Sequence, residues 1–442
     1  MNVNADDIRG AMRTASRSLT WSASWLDCGG LRASLQARAR RAAAAPAVAA
    51  VATIIAGAVW PPSALRLAAS ALCALGVVGA QHAAHALISL AVVPSQHATR
   101  RLAAGIARNP FAPALAAAIE PGAHALAMME VRREAAREQV QLTMPGAEHA
   151  VVVTPDGVPL DVLIFGREKA QSLLGWVVYL GGNGEHAENR SDLLDYCSRG
   201  YGVLLMNYRG VGHSGGTTTR DGLVIDVVSV AAFLIVNCGV DPRRIVLLGH
   251  SIGGAIAAQA ALHVPGAVVV LDRTFASLGA VAVWHVAPWA ARSSTGVLAA
   301  AARTAVRVAI ELSGWELDTL AAYREQRRRA GDVLVMYAPM DGIIPMAAQL
   351  AGALSEAELR EGDRILQLES VGVGPVGEHN RLFTATEERW LFTVLSTHLQ
   401  SLPPPNVIRA TDGNGDDSSV AGFEATDASV DATAPRRRER VQ

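Results

Sequence analysis

Six short, uncharged apolar runs recur through the second two-thirds of the chain: Trp176–Leu180, Val203–Met206, Ile245–Leu248, Ala267–Leu271, Val333–Tyr337 and Ile365–Leu368. Each is too short for a helix and too uniformly apolar for a strand with one wet face. Such runs suit strands buried on both faces, as in a parallel sheet. The stretches between them read as helices, so the chain is expected to form a doubly wound α/β sheet. Ahead of the first run, Val151-Val152-Val153 and Leu160–Phe165 flank Pro155-Asp156-Gly157 and read as an N-terminal β-hairpin.

Composition narrows the classes. Hydrophobic residues make up 50% of the 442 residues, charged residues 18%, and the net charge is −1. Disordered chains need the reverse balance. A nucleic-acid binder needs a basic excess, which is absent. Cys28, Cys73, Cys197 and Cys238 are far apart and show no metal-ligand spacing, which fits neither a zinc site nor a disulfide framework and suits a reducing compartment. Lys169 is the only lysine among 39 basic residues. A GC-rich genome explains this bias; escape from ubiquitin conjugation inside another cell is the competing reading.

Residues 1–41 are polar and Arg-bearing, and their late apolar onset does not fit a cleaved signal peptide. Two uncharged segments follow, Ala42–Trp60 and Leu67–Val93, split by Pro61-Pro62. Each is long enough to cross a bilayer, which takes roughly 17–25 residues. Flanking arginines predict a membrane hairpin (42–98) with both ends cytoplasmic. Against this, both segments are alanine-rich, and the second holds Gln81, His82 and His85, which are costly in lipid. A buried helical pair is the alternative. Residues 99–147 read as a helical connector broken at Asn109-Pro110 and Pro121-Gly122, with Met128–Gln139 charged and expected to face solvent. A compact domain is expected over 148–400, with an Ala/Val/Trp-rich helical cap at 276–325. Residues 401–442 read as a disordered tail.

One apolar run carries chemistry. Ile245–Leu248 leads into Gly249-His250-Ser251-Ile252-Gly253-Gly254 and then an Ala-rich helix. This is G-x-S-x-G between a strand and a helix, where a tight turn lifts the serine above the sheet. Serine is a weak nucleophile without a base. On this architecture the partners follow in the order acid, then histidine. Asp341 lies just past Val333–Tyr337, and His379 ends a Gly-rich loop after the last run. Ser251 is therefore read as nucleophile, His379 as general acid/base and Asp341 as its orienting carboxylate. Asp272, also at a strand end, competes as the acid. His250 is expected to be structural, its side chain turned from Ser251. His213, His263 and His285 fall out of chain order, and Ser214 and Ser277 lack the turn. The Gly181-Gly182-Asn183-Gly184-Glu185 loop has room for a substrate carbonyl. The main-chain N–H groups of Asn183 and Ile252 are the expected oxyanion donors. Gly182 is the runner-up donor and, with Gly184, a substrate-binding position. The loop lacks the glycine patterns of a nucleotide phosphate cradle. No metal or organic cofactor is called for.

These residues, with Asn207-Tyr208-Arg209-Gly210-Val211-Gly212-His213-Ser214-Gly215 and the loop around Asp341, resemble the alpha/beta-hydrolase superfamily over roughly Glu148 to Leu399. The resemblance extends to its serine-aminopeptidase/lysophospholipase-like branch. Gly182-Asn183-Gly184-Glu185 and Asp272-Arg273-Thr274-Phe275 are similar to the CHLPS hydrolase-like proteins. Many relatives carry His-Gly where this chain has Gly181-Gly182, so its oxyanion-hole entrance is expected to differ in shape. The resemblance implies cofactor-free hydrolysis of an acyl ester or thioester. The apolar cap (Trp284, Trp289, Trp315) fits a lipid-like acyl substrate at a membrane; a cap core that packs only against itself has the same composition. A second expectation is an interaction protein, membrane-targeted or delivered into a host cell, that keeps the fold as a scaffold. A peptidase ranks below both, because no charged pocket for a peptide end is apparent.

Overall fold

The computed structural model describes residues 133–170, 173–293, 295–359 and 364–403. The segments read as a polar N-terminus (1–41) and a hydrophobic hairpin (42–98), the connector up to residue 132 and the tail beyond Pro403 lie outside them. Among the described residues no helix is long and apolar enough to cross a membrane.

Eight strands form one sheet: β1 Glu148–Val153, β2 Pro159–Phe165, β3 Gly175–Leu180, β4 Tyr201–Met206, β5 Ile245–His250, β6 Val268–Asp272, β7 Val333–Tyr337 and β8 Ile365–Gln367. Their order is β1-β2-β4-β3-β5-β6-β7-β8. β1 and β2 form the antiparallel hairpin, β2 runs antiparallel to β4, and the remaining neighbours are parallel. Every residue of β3, β4 and β5 is buried. Alternation sends their side chains to two cores. Val178, Leu204 and Leu247 join α1 (Arg220–Asn237) and α2 (Ile252–Ala261) on one face. Val177, Val203 and Val246 join Tyr196, Leu391 and Leu395 on the other. Burying a side chain of this size contributes about 1.5–3 kcal/mol. Gly202 in β4 leaves space for the Trp176 indole, since a Cβ there would sit 2.6 Å from the ring.

Between β6 and β7 the chain leaves the sheet through α3 (Leu278–Val286), α4 (Pro288–Arg292) and α5 (Val297–Leu312). Ala287, Ala290 and Ala299 form a small core of their own there. The excursion is pinned at its base. Ser277 bridges Asp318, the Leu278 N–H donates to the Leu317 carbonyl (3.2 Å), and the Leu320 N–H donates to the Ala276 carbonyl (3.0 Å). α6 (Thr319–Arg328) follows, N-capped by Asp318, and its Ala322 and Tyr323 rejoin the main core beside α2. The expected cap segment, 276–325, thus holds three outlying helices and the first turns of one that covers the sheet.

Residues 133–139 match the expected solvent-facing connector only in part: Glu134, Ala135, Glu138 and Gln139 are exposed, but Arg133 and Arg137 turn inward. The Arg133 side chain is fully buried, and Arg137 makes two 2.8 Å bonds to Asp161. The buried Glu188 lies 3.5 Å from Arg137 and 3.8 Å from Arg133, and accepts from Asn207 Nδ2. Val140 and Met144 complete the buried side. Charged texture misled here because paired buried ions and solvated ones have the same composition. Only pairing makes burial tolerable.

Candidate active site

β5 delivers Ser251 at the C-terminal edge of the sheet. The serine holds φ 55° and ψ −121°, a left-handed conformation that few non-glycine residues adopt. Its N–H donates to the Asp272 carbonyl (2.9 Å), tying the turn to β6. Gly249 and Gly253 are required by contact, because a Cβ on Gly249 would lie 2.3 Å from the Gly253 carbonyl oxygen.

Asp341 follows β7 in a short loop. Its Oδ1 accepts the N–H groups of Ile343 (2.8 Å) and Ile344 (2.9 Å), which fixes the carboxylate and leaves Oδ2 for His379 Nδ1 at 2.6 Å. A carboxylate only accepts, so Nδ1 carries the proton and Nε2 is the basic nitrogen. Nε2 lies 3.0 Å from Ser251 Oγ. All three side chains are buried, with Ser251 8% exposed and His379 and Asp341 4% each. The expected Gly-rich loop around His379 is instead a helix, α7 (Gly374–Asn380). Pro375 occupies its first turn, where a fixed φ favours helix and no N–H is missed. The neighbouring glycines hid it.

The structure sets Asp272 apart from His379. Its Oδ1 accepts from Arg273 Nε (2.8 Å), and its Oδ2 accepts from Arg273 Nη2 (2.8 Å) and His250 Nδ1 (2.9 Å). His250 thus faces Asp272, with its ring centroid 4.9 Å from that of His379. The other candidates have structural partners. Ser214 Oγ donates to the Asn207 carbonyl and accepts from the Asp161 N–H. Ser277 caps α3. His285 Nε2 donates to the Ile343 carbonyl (2.9 Å), and His213 is half exposed beside Glu134.

The glycine loop after β3 lies against the serine. A Cβ on Gly182 would be 3.3 Å from that of Ser251, and Gly184 needs its φ of +78°. The Gly182 N–H does not point to a substrate position, because it donates to Glu185 Oε2 (2.7 Å). The same oxygen accepts the Tyr179 hydroxyl (2.7 Å), and Arg190 pairs with Oε1 (3.2 Å). This corrects Gly182 as a donor. Asn183 is next along the loop and exposed, and Ile252 opens α2. Glu185 as a brace and Arg273 as a partner of Asp272 were not read from the sequence. Both stand in the motifs Gly182-Asn183-Gly184-Glu185 and Asp272-Arg273-Thr274-Phe275, but nothing local marks their contacts.

Burial pushes the Asp272 carboxyl up, but the Arg273 guanidinium and the His250 bond outweigh it and hold the pKa well below the usual carboxylate range. A depressed carboxylate contributes stability above the unfolded-state value of about 3.9 and loses it as pH falls. Melts followed by circular dichroism should therefore show Asp272→Asn less stable at pH 7 and less sensitive to acid below about pH 4. An unchanged acid slope would contradict this.

The sequence profile of the alpha/beta hydrolase family matches residues 177–431, more than half of the chain. The chain belongs to the alpha/beta hydrolase family. Among its relatives, an uncharacterized protein of Mycobacterium tuberculosis is 32% identical over 146 residues, covering 33% of this chain and 52% of the relative. Uncharacterized protein YfhR of Salmonella typhi is 30% identical over 131 residues, covering 27% and 44%. This alpha/beta hydrolase thus aligns with about half the length of those relatives. An esterase of Pyrococcus furiosus is similar in structure, with a TM-score of 0.42, 18% identity, and coverage of 59% of this chain and 92% of that one.

Proposed function

We propose that this alpha/beta hydrolase cleaves an acyl ester or thioester with an apolar acyl chain, through an acyl-Ser251 intermediate. The observation that carries the reading is the unbroken hydrogen-bond path from Ser251 Oγ to His379 Nε2 and from His379 Nδ1 to Asp341 Oδ2. In this reading Ser251 Oγ attacks the acyl carbonyl while its proton passes to Nε2. The ester C–O bond or thioester C–S bond then breaks, and Nε2 gives the proton to the departing alkoxide or thiolate. Water enters, gives a proton to Nε2 and releases the acid by the same path in reverse. Asp341 stays ionised and stabilises the imidazolium. The main-chain N–H groups of Asn183 and Ile252 are the proposed oxyanion donors, each worth about 10²–10³ in turnover.

The apolar acyl chain is favoured by the segment between β6 and β7. Val281, Ala282 and Trp284 lie partly buried against the main core, while Trp289, Val297 and Leu298 are exposed. Such side chains suit an aliphatic ligand. Residence at a membrane, held by the apolar segments 42–60 and 67–93, is part of the same proposal.

The test is an active-site-directed fluorophosphonate on the full chain, with p-nitrophenyl esters from acetate to palmitate. The wild type should label stoichiometrically, Ser251→Ala should not, and longer chains should be preferred. A folded wild type that fails to label would overturn the reading in favour of a scaffold.

A further inference from the structure

We infer that Arg273 is a positioning residue that holds His379 in register with Ser251. The inference rests on the proposed roles of Ser251, Asp341 and His379.

Arg273 stands directly after β6 with φ 45°, in the left-handed region. A non-glycine residue so placed is strained and persists only where its surroundings fix it. The contacts here are numerous. Its N–H donates to the Met336 carbonyl in β7 (2.8 Å). Its Nε and Nη2 donate to the two oxygens of Asp272. Its Nη1 donates to the carbonyls of Glu378 (3.1 Å) and Arg381 (2.8 Å). The side chain is buried, with the guanidinium 5.4 Å from the centre of the Phe383 ring.

The two carbonyls bracket the base: Glu378 precedes His379, and Arg381 follows two residues later. At the other end of the same dipeptide, the Asp272 carbonyl accepts the Ser251 N–H and its carboxylate accepts His250 Nδ1. The Asp272–Arg273 unit therefore grips the main chain of the nucleophile turn with one residue and the main chain around the base with the next. α7 is tied to the acid loop as well, through the Gly342 N–H to the Pro375 carbonyl (3.0 Å) and His379 to Asp341. Arg273 supplies the link to the serine side. The planar guanidinium suits this task because its fork meets a carboxylate while a separate nitrogen reaches the carbonyls. Lysine would keep the charge beside Asp272 and lose the fork.

Arg273→Lys therefore separates geometry from charge. With a short-chain p-nitrophenyl ester, the full-length variant should show kcat lowered about 10–100-fold at unchanged KM, the scale of a 1 Å misplacement. The acid limb of the pH profile should stay in place, since the charge is kept. Fluorophosphonate titration counts the competent sites and so removes any unfolded fraction from kcat. Asp272→Asn provides a second variant should the lysine form fail to fold; by loosening Arg273 it should lower kcat about tenfold. A folded Arg273→Lys, or in its place a folded Asp272→Asn, that turns over at the wild-type rate per titrated site would overturn the inference. A wild type inert to the fluorophosphonate would instead overturn the proposed function.

Discussion

Ser251→Ala is expected to lower ester turnover by about 10⁴–10⁶-fold with the thermal midpoint nearly unchanged. The chemical loss is large because no other hydroxyl stands 3.0 Å from His379 Nε2 among the described contacts. The stability cost is small for a specific reason. Alanine keeps the Cβ that already sits at φ 55°, so the strain of the turn is the same in both proteins. The N–H bond to the Asp272 carbonyl also survives. Steady-state rates on a p-nitrophenyl ester, with a parallel melt, test both halves. Activity within tenfold of wild type would remove Ser251 from the mechanism.

Gly253→Ala should fail in the opposite way, through the fold. A Cβ at this position would lie 2.0 Å from the Leu180 carbonyl oxygen, 2.6 Å from its carbon and 2.7 Å from the Gly181 oxygen. These are main-chain atoms of β3 and the glycine loop, so no side chain can swing aside. Ordinary overpacking costs about 1–3 kcal/mol, and this clash belongs at or above the upper end. At about 2–4 °C per kcal/mol for a domain of this size, the midpoint should drop about 6–12 °C. Relief requires β3 and α2 to part, which would displace the glycine loop from the serine, so the residual folded protein should also lose activity. A midpoint within 2 °C of wild type, an illustrative threshold on the same scale, would show that the close approach does not exist in solution.

The parts of the molecule legible in the sequence are those whose environment imposes a local pattern. Two-sided burial leaves an uninterrupted apolar run in β3 to β7, so Val333–Tyr337 matches to the residue and the other four within two, whereas β1, with one wet face, starts three residues before the expected Val151. The turn at Ser251 was legible because backbone contact demands glycine at fixed offsets. The rest depends on partners distant in sequence. Arg273 bonds carbonyls 105 and 108 residues away, and nothing around Arg273 announces that. Glu185 stands at the end of the glycine loop and braces it, which takes the N–H of Gly182, the runner-up donor, out of play. Arg133 and Arg137 read as wet charges because the acids that neutralise them, Asp161 and Glu188, arrive from later strands and loops. α7 was hidden by glycine and proline, which mark loops on average and helix starts in particular.

The fastening of the β6–β7 excursion at Ser277 and Asp318 has a wider consequence. Its two stems leave the sheet side by side, so what lies between them can be lengthened, trimmed or exchanged with little loop-closure cost. Changes of length or sequence between the stems should therefore leave the serine turn and its histidine where they stand.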